Sequence, residues 1–140
     1  MIGMRACIDV EDVPTAIAFY TEGLGLEVGR RFADDWVELV GPPIPVDLLG
    51  RAAGSAANPA PEAPRRDYRR HWTPVHLDFE VSDLEAAVER ARAAGATVEG
   101  DLGSYAWGRI ARLADPFGHG FCLLEFRGRG YDEIGDPGND

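Results

Sequence analysis

Between residues 75 and 81 the chain alternates strictly. Val75, Leu77, Phe79 and Val81 fall on one face of an extended strand, and His76, Asp78 and Glu80 on the other. The period then changes. Leu84, Ala87, Val88 and Ala91 recur at helical spacing, and Gly95 marks the exit. The same switch occurs near the start, where Ala6, Ile8 and Val10 alternate with Arg5, Cys7 and Asp9. A helix is predicted over 14–23, with Pro14 in its first turn and Gly23 or Gly25 at its end. Asp12 and Asp83 precede the two helices at matching places and read as N-caps.

Aligning Val10-Glu11-Asp12-Val13 with Val81-Ser82-Asp83-Leu84 exposes an internal repeat of about seventy residues, which sets Arg5 opposite His76. Each helix is followed by three further strand candidates: 26–32, 36–40 and 45–49 in the first half, 97–102, 108–113 and 121–126 in the second. The expected architecture is therefore α+β, a single domain of two tandem βαβββ modules. Module one covers about 4–50, a linker 51–70, module two about 71–127 and a tail 128–140. The linker is rich in Ala, Pro and Arg without apolar periodicity and reads as a connector or flexible flap. The tail has little to bury and is expected to fray, with Tyr131 and Ile134 available to pin part of it.

Composition narrows the function classes. At 45% hydrophobic and 27% charged residues the chain is ordinarily globular. No stretch of eighteen apolar residues and no basic start followed by an apolar run is present, so a soluble, cytoplasmic protein without a membrane partner is expected. A net charge of −10 repels phosphate backbones and argues against nucleic acid, while suiting cationic ligands. Cys7 and Cys122 are the only cysteines, and both lie in apolar runs, which predicts two buried thiols rather than a disulfide. No Gly-rich phosphate loop, Ser-His-Asp order or CxxC pair occurs, so nucleotide hydrolysis, serine-hydrolase and thioredoxin-like chemistry find no support.

The apolar strand faces must cover the helices, which leaves two faces of mixed charge. Such faces are either solvated surface or the lining of a cleft. The paired βαβββ units, the segment AFYTEGLGLEV (18–28) and the turn-strand DPFGHGFCLLEF (115–126) resemble the vicinal oxygen chelate superfamily, the glyoxalase, bleomycin-resistance and ring-cleaving dioxygenase group. That resemblance implies two sheets curled into a cupped, partly open barrel, commonly in a homodimer, with a small-molecule ligand inside. It also implies four places for a divalent metal's ligands, which fall here on Arg5, Asp47, His76 and Cys122. His76 matches the usual ligand types and Asp47 is an acceptable substitute. Arg5 would repel a cation, and a thiol in an apolar strand stays protonated.

Two expectations follow. The first is a metal-independent binding protein of the bleomycin-resistance type, with no cofactor, holding a cationic or amphipathic aromatic compound against Arg5, Asp47, Trp72, His76, Asp78, Trp107 and Cys122. The second is a lyase, isomerase or dioxygenase holding Zn, Fe, Ni or Mn through His76 and Asp47, helped by Glu80 or Cys122. A module that regulates a neighbour by contact is a weaker third. His76 beside Asp78 or Glu80 also permits proton transfer in principle. His119 reads as a solvated turn residue, and Asp115 and Pro116 as turn builders.

Overall fold

The computed structural model describes residues 1–136. Each half folds as the repeat predicts. In module one, β1 (Ala6–Val10) leads into α1 (Val13–Ala18), which continues as one π-helical turn over Phe19–Gly23. Then come β2 (Glu27–Phe32), β3 (Trp36–Val40) and β4 (Val46–Gly50). Module two repeats the order with β5 (Leu77–Glu80), α2 (Leu84–Ala93), β6 (Thr97–Tyr105), β7 (Gly108–Ala114) and β8 (Gly120–Phe126). The sheets are ordered β1-β4-β3-β2 and β5-β8-β7-β6, with β1 parallel to β4 and β5 parallel to β8. A strand returning parallel to the first needs a crossover, and the helix and antiparallel pair between them supply its length.

Both helices begin where the caps predict. The Asp12 carboxylate accepts from the Thr15 amide at 3.5 Å, and the Asp83 carboxylate from the Ala86 amide at 3.1 Å. Their buried faces, Ala16, Phe19 and Tyr20 in one module and Leu84 and Ala91 in the other, join a single core with Val10, Leu39, Leu48, Leu113 and Leu123. The modules are tied across this layer. The Tyr20 hydroxyl donates to Asp115 Oδ2 at 2.6 Å, and Arg90 Nε donates to the Glu22 carbonyl at 2.6 Å. Asp115 thus does more than build its turn: it is buried, and also accepts from the Phe117 and His119 amides at 2.8 and 3.0 Å.

With the helices on one side, the opposite face of each sheet is free, giving the unclosed, cupped arrangement expected from sequence. The edges β1 and β5 flank a seam that opens at one end into a groove of about 920 Å³, walled by Met4, Ala6, Ile44, Val46, Leu77 and Phe79. The connector between the sheets carries one isolated bridge, Ala56 to Arg65, and is fastened down. Arg66 Nε donates to Asp9 Oδ2 at 2.7 Å, and the Tyr68 ring packs on Phe117. The expected flap is therefore anchored at its base by Arg66 and Tyr68, while 56–65 bond within the connector itself. Tyr131 does pin the tail, packing on Trp107 and Phe126, whereas Ile134 is exposed. The remainder of the predicted fraying tail, 137–140, lies outside the described residues.

Candidate functional site

Strand register places the candidate side chains. Asp47 on β4 pairs with Cys7 on β1 and with Glu38 on β3, so all three share the helix-free face of module one. Arg5, one residue before β1, reaches over this row. Its Nε donates to Asp47 Oδ2 and its Nη2 to Oδ1, both at 2.8 Å, a bidentate fork, and Nη2 also meets Glu38 Oε2 at 2.5 Å. Arg30 holds Glu38 from the other side through Nε at 2.9 Å and Nη2 at 2.7 Å. Asp47 and Glu38 are buried while the arginines lie partly in solvent. Hydrogen bonds from Arg30 and then Arg5 lower the Glu38 carboxyl to about 2, and those from Arg5 hold Asp47 below its ordinary value. Glu38 and Arg30 escaped the sequence reading, because only pairing across β2 and β3 reveals them as neighbours of Asp47.

Module two differs at the equivalent place. Asp78 on β5 pairs with Cys122 on β8, and His76 Nδ1 lies 3.6 Å from Asp78 Oδ1. The ligand atoms of His76, Asp78 and Cys122 come within 4.8 Å of one another. Burial, and then the Asp78 carboxylate, push the Cys122 thiol up to about 11, so it is protonated at neutral pH. Trp72 lies edge-on to His76, with ring centroids 5.4 Å apart, and covers Gly120 so closely that a Cβ there would sit 2.5 Å from its ring. Its Nε1 donates to Glu99 at 3.0 Å and its face receives the Arg70 guanidinium at 4.8 Å. Trp107 instead joins an aromatic cluster with Tyr105, Phe126 and Tyr131, where it closes the β6–β7 turn against the tail.

Arg5 and Asp47 are thus brought together, as are His76, Asp78 and Cys122, but Asp47 enters neither of the two groups of three metal-type side chains found among the described residues. The second group, Asp83, Glu85 and Glu125, is committed to the start of α2. Glu125 accepts from the Leu84 amide at 2.7 Å, and Arg109 bridges Glu85 and Glu125.

These arrangements sit on a recognisable scaffold. The glyoxalase-like domain family matches residues 5–124. The chain belongs to the glyoxalase-like family. It is 32% identical over 122 residues to the anthracycline biosynthesis protein DauV of Streptomyces sp. (strain C5), covering 84% of this chain and 38% of that protein. The chain spans 31–38% of the length of four curated relatives that it matches. In solved structures the glyoxalase-like fold recurs in the fosfomycin resistance protein FosX of Listeria monocytogenes, with TM-score 0.68 and 16% identity over 91% of this chain and 96% of that one. It recurs too in lactoylglutathione lyase of Agrobacterium tumefaciens, with TM-score 0.61 and 18% identity over 89% and 92%. Identities this low show the shared fold alone.

The residues present do not fit the four-ligand metal site that this glyoxalase-like fold implies. Arg5 places a permanent positive charge at one of the four positions, and its fork occupies both oxygens of Asp47 at the second. Cys122 is a protonated thiol at the fourth. His76 alone retains an ordinary ligand's chemistry.

Two further readings need correcting. Cys7 is exposed rather than buried, because β1 is an edge strand with only β4 beside it. His119 is not a solvated turn residue. Its ring is partly buried and bonded to the Asp9 carbonyl and to His71, since the turn carries it into the seam between modules.

Proposed function

We propose that the protein binds a small amine-bearing aromatic compound without a metal ion. The observation that carries this reading is the unequal pairing of carboxylates. Asp47 and Glu38 in module one are neutralised by Arg5 and Arg30, whereas Asp78 meets only His76 and Glu80 forms no salt bridge among the described residues. Asp78 and Glu80 stand on the helix-free face of β5, the strand that borders the apolar groove, so this edge carries two carboxylates without an arginine partner next to a surface suited to a flat ring system. Trp72, 41% exposed at the start of module two, stands edge-on to His76, the partner of Asp78, and offers an aromatic surface there. The likeness to a protein named for anthracycline biosynthesis supports the ligand class, since amine-bearing anthracyclines are flat, polycyclic cations. We further propose a cytoplasmic homodimer, for which sedimentation should give twice the chain mass of 15.2 kDa.

Thermal-shift titration with an amine-bearing anthracycline and with its uncharged aglycone tests the ligand class. The amine form should stabilise the protein by about 2.7 kcal/mol at a hundredfold excess over its dissociation constant. The preference over the aglycone should vanish in the Asp78→Asn/Glu80→Gln double variant. Equal response to both compounds in the unmodified protein would remove the cationic part of the proposal.

A second reading, a metal-dependent lyase, isomerase or dioxygenase, is favoured by the His76, Asp78 and Cys122 group alone. Elemental mass spectrometry after exposure to Mn, Fe, Ni and Zn salts distinguishes the two. The first reading expects a ratio near zero, and a ratio near one that disappears in His76→Ala would establish the second.

A further inference from the structure

His71, ahead of β5, and His119, ahead of β8, lie side by side, where their backbones form an isolated parallel bridge. Their side chains make a chain of three contacts. His71 Nδ1 lies 2.7 Å from the Arg69 carbonyl oxygen, His71 Nε2 lies 3.0 Å from His119 Nδ1, and His119 Nε2 lies 2.7 Å from the Asp9 carbonyl oxygen. The rings stand at 80° with centroids 4.9 Å apart.

Carbonyl oxygens only accept, so each outer nitrogen must carry a hydrogen. The central contact joins two nitrogens and needs one hydrogen between them. Three hydrogens are required, and two neutral imidazoles hold two. We propose that His71 and His119 share one additional proton as an imidazole–imidazolium pair, and that this proton clasps the two modules together at Asp9. Without it, two lone pairs must face one another at one of the three contacts, and a hydrogen bond along the seam is lost.

The charged groups around the pair include the carboxylates of Asp9, Asp67, Asp115 and Glu99 and the guanidiniums of Arg65, Arg66, Arg69 and Arg70. Arg66 holds Asp9, Arg69 holds Asp67, and Arg70 spans Glu99 and the Gly118 carbonyl. Asp115 accepts from the His119 amide, and the uncharged Tyr68 ring closes the remaining side at 6.1 Å. A second added proton has no place, because the nitrogen-to-nitrogen contact cannot hold two hydrogens.

Long-range ¹H–¹⁵N correlation spectra of the full chain at pH 7 read the count directly. Of the four ring nitrogens of His71 and His119, three should show protonated shifts and one a bare shift. Two protonated and two bare nitrogens would overturn the proposal. Urea unfolding at pH 7 is the second test, comparing the unmodified chain with His71→Gln and His119→Gln. A glutamine amide cannot take up the added proton, so both variants should unfold at lower urea than the unmodified chain, and equal midpoints in all three proteins would count against the shared proton. If a variant does not fold, the nitrogen count in the unmodified chain still decides.

Discussion

The two helix-free faces are built from the same repeat, and they have reached opposite electrostatic solutions. On module one the floor is saturated: Arg5 and Arg30 enclose Glu38 and Asp47 in a network with no carboxylate oxygen turned to a ligand. On module two the matching floor carries His76, Asp78 and a neutral Cys122, with no arginine on Asp78. A repeated fold thus fixes where side chains point and leaves open what they do. One face is closed by ion pairs, and its counterpart keeps a carboxylate that no arginine holds.

Breaking the saturated floor should have the largest effect. Asp47→Ala removes both acceptors of the Arg5 fork. Removing one partner of a wholly buried pair costs about 3–5 kcal/mol; because the Arg5 side chain is 40% exposed, a loss of about 2 kcal/mol in urea unfolding is expected. The matching change on module two, Asp78→Ala, should stay within about 0.5 kcal/mol, since Asp78 has no arginine to abandon. Equal losses at the two positions would erase the contrast.

Acid should act on the saturated floor next. The Glu38 carboxyl, lowered to about 2 in the folded protein, adds stability that is complete above its ordinary value near 4.5 and is lost as pH falls through 2. Glu38→Gln should therefore flatten the acid limb of a stability–pH curve between pH 4.5 and 2 while leaving the neutral region parallel to the parent. The Glu85 carboxyl, lowered to about 2 chiefly by Arg109, retains its own share of the acid limb in that variant.

Thiol labelling sharpens the comparison without altering stability. Cys7 is exposed on the edge strand, and Cys122 is buried with its thiol pushed up to about 11. An aromatic disulfide reagent at pH 7.5 should modify Cys7 at least about tenfold faster, with Cys122 reacting chiefly on unfolding. Although burial first and Asp47 second also raise the Cys7 thiol, its access to solvent decides the order. The smallest effect is expected for Trp107→Phe, which keeps a ring in the cluster with Tyr105, Phe126 and Tyr131 and should leave anthracycline binding unchanged in the thermal-shift titration.

Much of this molecule was legible in its sequence, and the reasons differ by residue. The alternation at 75–81 and the spacing of Leu84, Ala87, Val88 and Ala91 specify a strand and a helix because side-chain direction follows local backbone geometry. Asp12 and Asp83 announce the helix starts because capping is a contact over three residues. The resemblance carried by 18–28 and 115–126 led to the right superfamily, since those stretches set the helix exit and the turn into the last strand. The candidate site was legible only in part. Arg5, Asp47, His76 and Cys122 could be placed on strands, yet Glu38 and Arg30 entered through pairing across β2 and β3, and Val75, expected against the core, stands exposed ahead of β5.

By itself the sequence determined the repeat, the order of elements and the capped helix starts, because these depend on residues a few positions apart. Tertiary structure alone decided which charges meet. It gave Asp47 to Arg5, left Asp78 without an arginine, and drew His119 into contact with Asp9, 110 residues away, because Coulombic and hydrogen-bonded partners are chosen by separation in space.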